Sequence, residues 1–138
     1  MRVFLDTNVL VSAVAARGLC ADVLREIFIS HQLVISAPLI SELKRILFTK
    51  MGVPREIISE LVEVLTQDCL LSENTELINI DINDRDDVLI LSTALNGTAE
   101  IFVTGDKELL ELEKIQSMRI ITPREFWETL KTSPPDEK

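Results

Sequence analysis

Four acidic residues stand where surface chemistry does not place them. Asp6 directly follows the apolar run Val3-Phe4-Leu5, and Asp106 directly follows Ile101-Phe102-Val103 and the turn Thr104-Gly105. Glu42 lies one turn inside a helical stripe, between Ile40 and Leu43. Asp87 opens a helical run, Val88–Leu95, that is free of charge. Each alone has an ordinary explanation. An acid after a strand caps the next helix, and an acid in a first helical turn meets the positive end of the helix dipole. Taken together they predict something else. Two carboxylates at strand ends and two on early helical turns converge if the strands share an edge. Like charges about 5 Å apart repel by roughly 3 kcal/mol at an effective dielectric near 20. Such clusters persist where oxygen ligands hold a hard divalent cation. The other acids, among them Glu60, Glu63, Glu73, Glu111, Glu113 and Glu128, fall on polar faces or in loops and read as solvated surface.

Positioning these acids requires strands alternating with helices. Arg2–Leu5, Leu33–Ile35, Ile101–Val103 and Met118–Ile121 read as short strands, and Leu77–Ile82 alternates apolar and polar residues in part. Helical stripes run over Thr7–Ala16, Leu19–Ser30, the segment after Pro38 to Gly52, and the segment from Pro54 carrying Ile57, Ile58, Leu61, Val62 and Leu65. A helix follows Asp84-Arg85-Asp86-Asp87, another spans Lys107–Lys114, and a last one starts at the capping box Thr122-Pro123-Arg124-Glu125. This alternation predicts an α/β fold, a three-layer α/β/α sandwich around a central parallel sheet. The carboxyl ends of its strands form the ligand-binding edge. Residues 1–131 read as one domain and 132–138, with Pro134-Pro135, as a polar tail.

Composition narrows the function. The chain of 138 residues is 46% hydrophobic and 27% charged, which marks a folded domain of ordinary size. Its net charge of −9 argues against holding nucleic acid by bulk charge, although not against nucleic acid as a substrate once acids are neutralised by metal. Cys20 and Cys69 read as free thiols in a reducing compartment. Without a CxxC pair, and with His31 as the one histidine, a zinc site is not expected. His31 lies away from the acids and reads as structural or exposed. The start MRVFLDTN has no secretory pattern and no stretch is long and apolar enough for a membrane helix, so a cytoplasmic protein without a membrane partner is expected.

The four acids also sit in a recognisable order. Val3-Phe4-Leu5-Asp6-Thr7-Asn8-Val9-Leu10, Ser41-Glu42-Leu43 with Ile46-Leu47, Asp87-Val88-Leu89-Ile90-Leu91-Ser92-Thr93-Ala94, and Val103-Thr104-Gly105-Asp106-Lys107-Glu108-Leu109-Leu110 resemble the four motifs of PIN-domain proteins. The likeness covers nearly the whole chain and is greatest to the VapC-like, toxin-component branch. It implies an α/β/α sandwich and Mg²⁺ or Mn²⁺ held by Asp6, Glu42, Asp87 and Asp106. It further implies metal-dependent cleavage of RNA phosphodiesters, and for toxins an antitoxin partner. Asn8 and Thr104 match the motifs' polar supports. Alignment on Ile90 and Ala94 selects Asp87, with Asp86 or Asp84 as assistants. Glu108 reads as a solvated helix position, with a role behind the ligating acids as the other option.

Several bases flank these motifs: Arg17 after the first helix, Lys44 and Arg45 beside Glu42, and Arg85 and Lys107 beside the other acids. They are candidates for holding the RNA strand. Five phenylalanines, one tryptophan and no tyrosine predict no aromatic stacking platform and hence weak sequence preference. A mean hydropathy of +0.23 and the apolar stripes Leu19–Phe28 and Ile57–Leu65 suggest a homodimer. Other α/β enzymes fit less well. A haloacid-dehalogenase phosphatase needs a second aspartate where Asn8 stands. A dinucleotide-binding domain needs GxGxxG, and a receiver domain needs a different order of acids. A catalytically inert PIN-fold interaction module is the alternative reading.

Overall fold

The computed structural model describes residues 1–73 and 76–132. The polar tail read at 132–138 therefore lies outside the described residues, apart from Thr132. In chain order the elements are β1 (Arg2–Leu5), α1 (Thr7–Ala15), α2 (Leu19–Ser30), β2 (Gln32–Ser36), α3 (Ala37–Thr49), α4 (Arg55–Gln67), β3 (Leu70–Ser72), α5 (Arg85–Asn96), β4 (Ile101–Val103), α6 (Lys107–Leu110), β5 (Lys114–Ile115), β6 (Met118–Ile121) and α7 (Pro123–Thr132).

The strands form one sheet in the order β3-β2-β1-β4-β6-β5. Val3, Phe4 and Leu5 of β1 and Phe102 and Val103 of β4 are fully buried. Successive strand residues point to opposite faces, so both faces of the sheet centre must be covered by helices. The result is the three-layer α/β/α sandwich. From β1 the chain moves outward through β2 to β3, then returns to place β4 on the other side of β1. The strand order thus reverses between β1 and β4, and such a reversal opens a crevice at the strand ends. Leu5 is in register with Val103, and Val103 with Ile121. The rings of Phe4 and Phe102 stack within the same register, 5.4 Å apart.

Buried hydroxyls fix α5 to this sheet. The Thr93 hydroxyl lies 2.8 Å from the Ile90 carbonyl and 3.0 Å from Ser36 Oγ at the end of β2. Ser72 of β3 donates to the Thr93 carbonyl at 2.7 Å. These groups are buried, and each satisfied hydroxyl avoids the cost of an unpaired buried polar atom. Gly97, just past α5, leaves no room for a side chain: a Cβ there would stand 2.7 Å from Val34 Cγ1 and 2.9 Å from Ser72 Cβ.

The structure refines these elements and shortens one expected helix. The sheet is parallel except at its edge, where β5 pairs antiparallel with β6. The helix expected over Lys107–Lys114 stops at Leu110, because Glu113 adopts φ 61° and turns the chain into that edge strand. Leu77–Ile82 forms no strand. Its Ile78 amide instead donates to Ser92 Oγ on α5 at 2.9 Å, so a side chain supplies the acceptor that a neighbouring strand would otherwise give. The strand edge is taken by Leu70–Ser72, too short to show a pattern in sequence. The capping box at Thr122 forms in both directions, Thr122 N to Glu125 Oε1 at 2.9 Å and Glu125 N to Thr122 Oγ1 at 3.0 Å. Among the described residues no single helix is long and apolar enough to cross a membrane.

Candidate metal and nuclease site

Asp6 and Thr104 extend the ladders of β1 and β4 by one residue. The Asp6 amide donates to the Val103 carbonyl at 2.9 Å and the Thr104 amide to the Ile121 carbonyl at 3.0 Å. The two residues are therefore set side by side by the sheet itself. The Thr104 hydroxyl, fully buried, donates to Asp6 Oδ2 at 2.7 Å and accepts from the Asp106 amide at 3.0 Å. The other Asp6 oxygen accepts from the Thr7 amide at 2.8 Å, so Asp6 also caps α1. Asp106 caps the short α6 through the Glu108 amide at 2.9 Å. Capping and convergence are thus not alternatives here: each cap fixes the carboxylate that the corner collects.

Glu42 reaches the same corner from α3. Its Oε1 accepts the Thr7 hydroxyl at 2.7 Å, and its Oε2 lies 3.7 Å from Arg45 Nη2. Thr7 is the residue the sequence reading passed over. It is buried, while the neighbouring Asn8 is exposed. The signal was available: on a helix that packs one side into the core, Thr7 shares a face with Leu10.

The crowded third motif divides its labour. Asp84 Oδ1 accepts from the Asp86 amide at 2.8 Å and the Asp87 amide at 3.3 Å, making it the cap of α5. Asp86 lines a cleft of about 410 Å³ together with Glu42, Arg45, Pro38, Leu89 and Ile90. Asp87 is pushed up to about 6 by burial, then by the charges of Asp84, Asp106, Asp6 and Glu108. Asp6 is also raised. Burial is the main cause, the Thr104 and Thr7 hydrogen bonds oppose it, and the charges of Asp106 and Glu42 add to it. Asp6 feels Asp106 and Glu42, and Asp87 feels Asp6 and Asp106; the four acids share one electrostatic neighbourhood.

This donor set, all oxygen and mutually repelling, suits a hard divalent cation. Among the described residues, no three His, Cys, Asp or Glu side chains already stand close enough to hold one ion between them.

The flanking bases separate. Lys44, Arg45, Arg85, Lys107 and Arg17 are all exposed. Arg45 sits beside Glu42, whereas Arg85 lines a different cleft with Ile80, Ile82 and Val88. Arg17 stands in the turn between α1 and α2. His31 is structural: its Nδ1 is 3.2 Å from the chain's N-terminal ammonium, its ring meets Phe126 edge-on, and burial lowers its pKa. Phe48 is 43% exposed, with Arg55 Cζ 4.3 Å from its ring centroid.

The fold is an α/β/α sandwich with carboxylates gathered at the reversal of strand order. Residues 2–108 match a PIN-domain family model, and the chain belongs to the PIN-domain family. No curated protein matches the chain. Among solved structures it is similar to VapBC2 from Rickettsia felis, crystallised bound to a DNA fragment from its promoter. That likeness has a TM-score of 0.59 and 17% identity, and covers 88% of this chain and 98% of the other.

Proposed function

We propose that this protein is a Mg²⁺- or Mn²⁺-dependent endoribonuclease that hydrolyses phosphodiester bonds of single-stranded or structured RNA. The observation that carries the reading is the gathering of four acids at one corner: Thr7 bonds both Asp6 and Glu42, Thr104 bonds both Asp6 and the Asp106 amide, and Asp87 joins them through the charges of Asp6 and Asp106. A bound divalent ion would supply a nucleophilic water at neutral pH and stabilise the charge on the leaving oxygen. The protein's own part is positional. Asp6, Glu42, Asp87 and Asp106 hold the ion. Thr104 and Thr7 fix the oxygens that Asp6 and Glu42 present, and one carboxylate accepts the water's proton.

The role of toxin in a toxin–antitoxin pair belongs to the same proposal. It is supported by the family and by the VapBC2 likeness, and it makes an antitoxin protein the expected partner. A homodimer is part of the reading, since Phe28, Ile29, Ile57 and Val64 are exposed on α2 and α4. A cytoplasmic setting is proposed as well, in keeping with two free cysteines.

The test is incubation with single-stranded RNA and Mg²⁺ or Mn²⁺, with and without chelator, beside Asp6→Asn. Chelator-sensitive cleavage lost in the variant is expected. Cleavage that survives Asp6→Asn, or RNA left intact under every condition, rejects the nuclease and leaves the inert interaction module. That second reading draws on the acids' not yet standing within common reach of one ion.

A further inference from the structure

Helix α3 runs from the acid corner into a second cleft, of about 420 Å³, between α3 and α4. Its lining includes Lys44, Arg45, Arg55, Phe48 and Ser59, with three cations and no carboxylate among its residues. In a chain of net charge −9 this concentration of positive charge is unusual, and it meets the acids at Arg45, whose Nη2 lies 3.7 Å from Glu42 Oε2. Arg45 lines both clefts. Glu42, Arg45 and Phe48 follow one another at three-residue intervals, which sets them along one side of the helix over about 9 Å of its axis. At the far end Phe48 is 43% exposed, with the Arg55 guanidinium carbon 4.3 Å from its ring centroid.

We propose that this cleft holds single-stranded RNA beside the acid corner, with Lys44 and Arg45 on its phosphates and the Phe48–Arg55 pair as a platform on which a base stacks. The choice of RNA rests on the nuclease reading; the choice of a single strand rests on the cleft. An exposed ring with a guanidinium over it offers a π-face and a cation, which unpaired bases use and a duplex hides. Charge complementarity favours a polyanion, and the shared Arg45 makes the track continuous with the place where cleavage would occur. Stacking is indifferent to base identity, so the platform adds affinity without sequence preference.

Binding tests this separately from cleavage. Fluorescence anisotropy of a labelled single-stranded oligoribonucleotide of mixed sequence is measured in EDTA, on Asp6→Asn protein, over a range of salt. Lys44→Gln with Arg45→Gln should weaken binding about tenfold and reduce the log–log salt slope by about 1.4, the value for two phosphate contacts on a single strand. Phe48→Leu should weaken binding about tenfold with its slope unaltered, and Phe48→Tyr should restore it, which separates stacking from misfolding. Parent-like binding by both the double variant and Phe48→Leu, or no RNA binding by the parent, overturns the proposal. So does loss of self-association in these variants with RNA binding intact, which assigns the cleft to a protein partner. If RNA binds as expected but wild-type protein cleaves nothing, the nuclease reading fails and the track stands. If wild-type protein cleaves but the variants bind normally, the reverse holds.

Discussion

Thr7 donates its hydroxyl to Glu42 Oε1 at 2.7 Å, tying the first turn of α1 to the second turn of α3. The bond spans 35 residues of sequence and links Glu42 directly to the β1 end of the site. Thr7→Val keeps the shape and removes the donor. Glu42 then swings free, and we expect metal affinity to fall about 10–100-fold, as when a group supporting a ligand is lost. Stability should fall by about 1 kcal/mol. Mn²⁺ titration and urea unfolding measure the two effects, and Thr7→Ser should recover both. A valine variant that binds Mn²⁺ like wild type would remove Thr7 from the site.

Thr104 serves Asp6 and Asp106 at once. Its hydroxyl lowers the Asp6 pKa against the burial that raises it. In Thr104→Val the Asp6 pKa therefore rises further, and the acidic limb of the cleavage pH–rate profile should move to higher pH. Leaving the Asp6 carboxylate and the Asp106 amide short of a partner should also cost about 1–3 kcal/mol in unfolding free energy. Thr104→Ser should restore the limb. A limb that stays in place would mean that Asp6 ionisation does not control the rate.

The raised acids make the metal-free fold sensitive to pH. Asp87 moves from an ordinary 3.8 to about 6, so between those values the folded state binds more protons than the unfolded one. Stability must then fall as pH rises through that window, and Asp6 contributes in the same direction. Asp87 is partly open to water, and screening leaves its share on the order of 1 kcal/mol. Thermal unfolding in EDTA should show a lower midpoint at pH 7 than at pH 5. Asp87→Asn should flatten the difference, and millimolar Mn²⁺ should raise the pH 7 midpoint by binding only the folded state. A midpoint that rises from pH 5 to 7 in EDTA would contradict the electrostatic picture.

Gly97 tests the frame rather than the chemistry. Alanine there would press into Val34 and Ser72, both buried, and neither is the flexible end of a long side chain. Gly97→Ala should cost about 1–3 kcal/mol, as other overpacked cores do. Chemical denaturation would show it, and an unchanged midpoint would mean that β2, β3 and α5 give way more easily than their hydroxyl network suggests.

The amino-acid sequence alone determined the alternation of elements, because apolar periodicity over α2, α3 and α4 and the unbroken apolar runs of β1 and β4 are local properties. It also singled out Asp6, Glu42, Asp87 and Asp106, since each breaks a local pattern. It was silent or misleading where the outcome depended on partners distant along the chain. Leu70–Ser72 is a strand only because β2 lies beside it, and Leu77–Ile82 is not one because Ser92 takes its amide. Thr7 looked like any helix start until α3 brought Glu42 to it, and Phe48 like core until Arg55 of α4 lay over its exposed ring. Among the crowded Asp84, Asp86 and Asp87 the motif alignment favoured Asp87, but it left the roles of the other two open. Successive helical residues point about 100° apart, so only the packed position of α5 made one the cap, one a cleft residue and one a member of the acid corner.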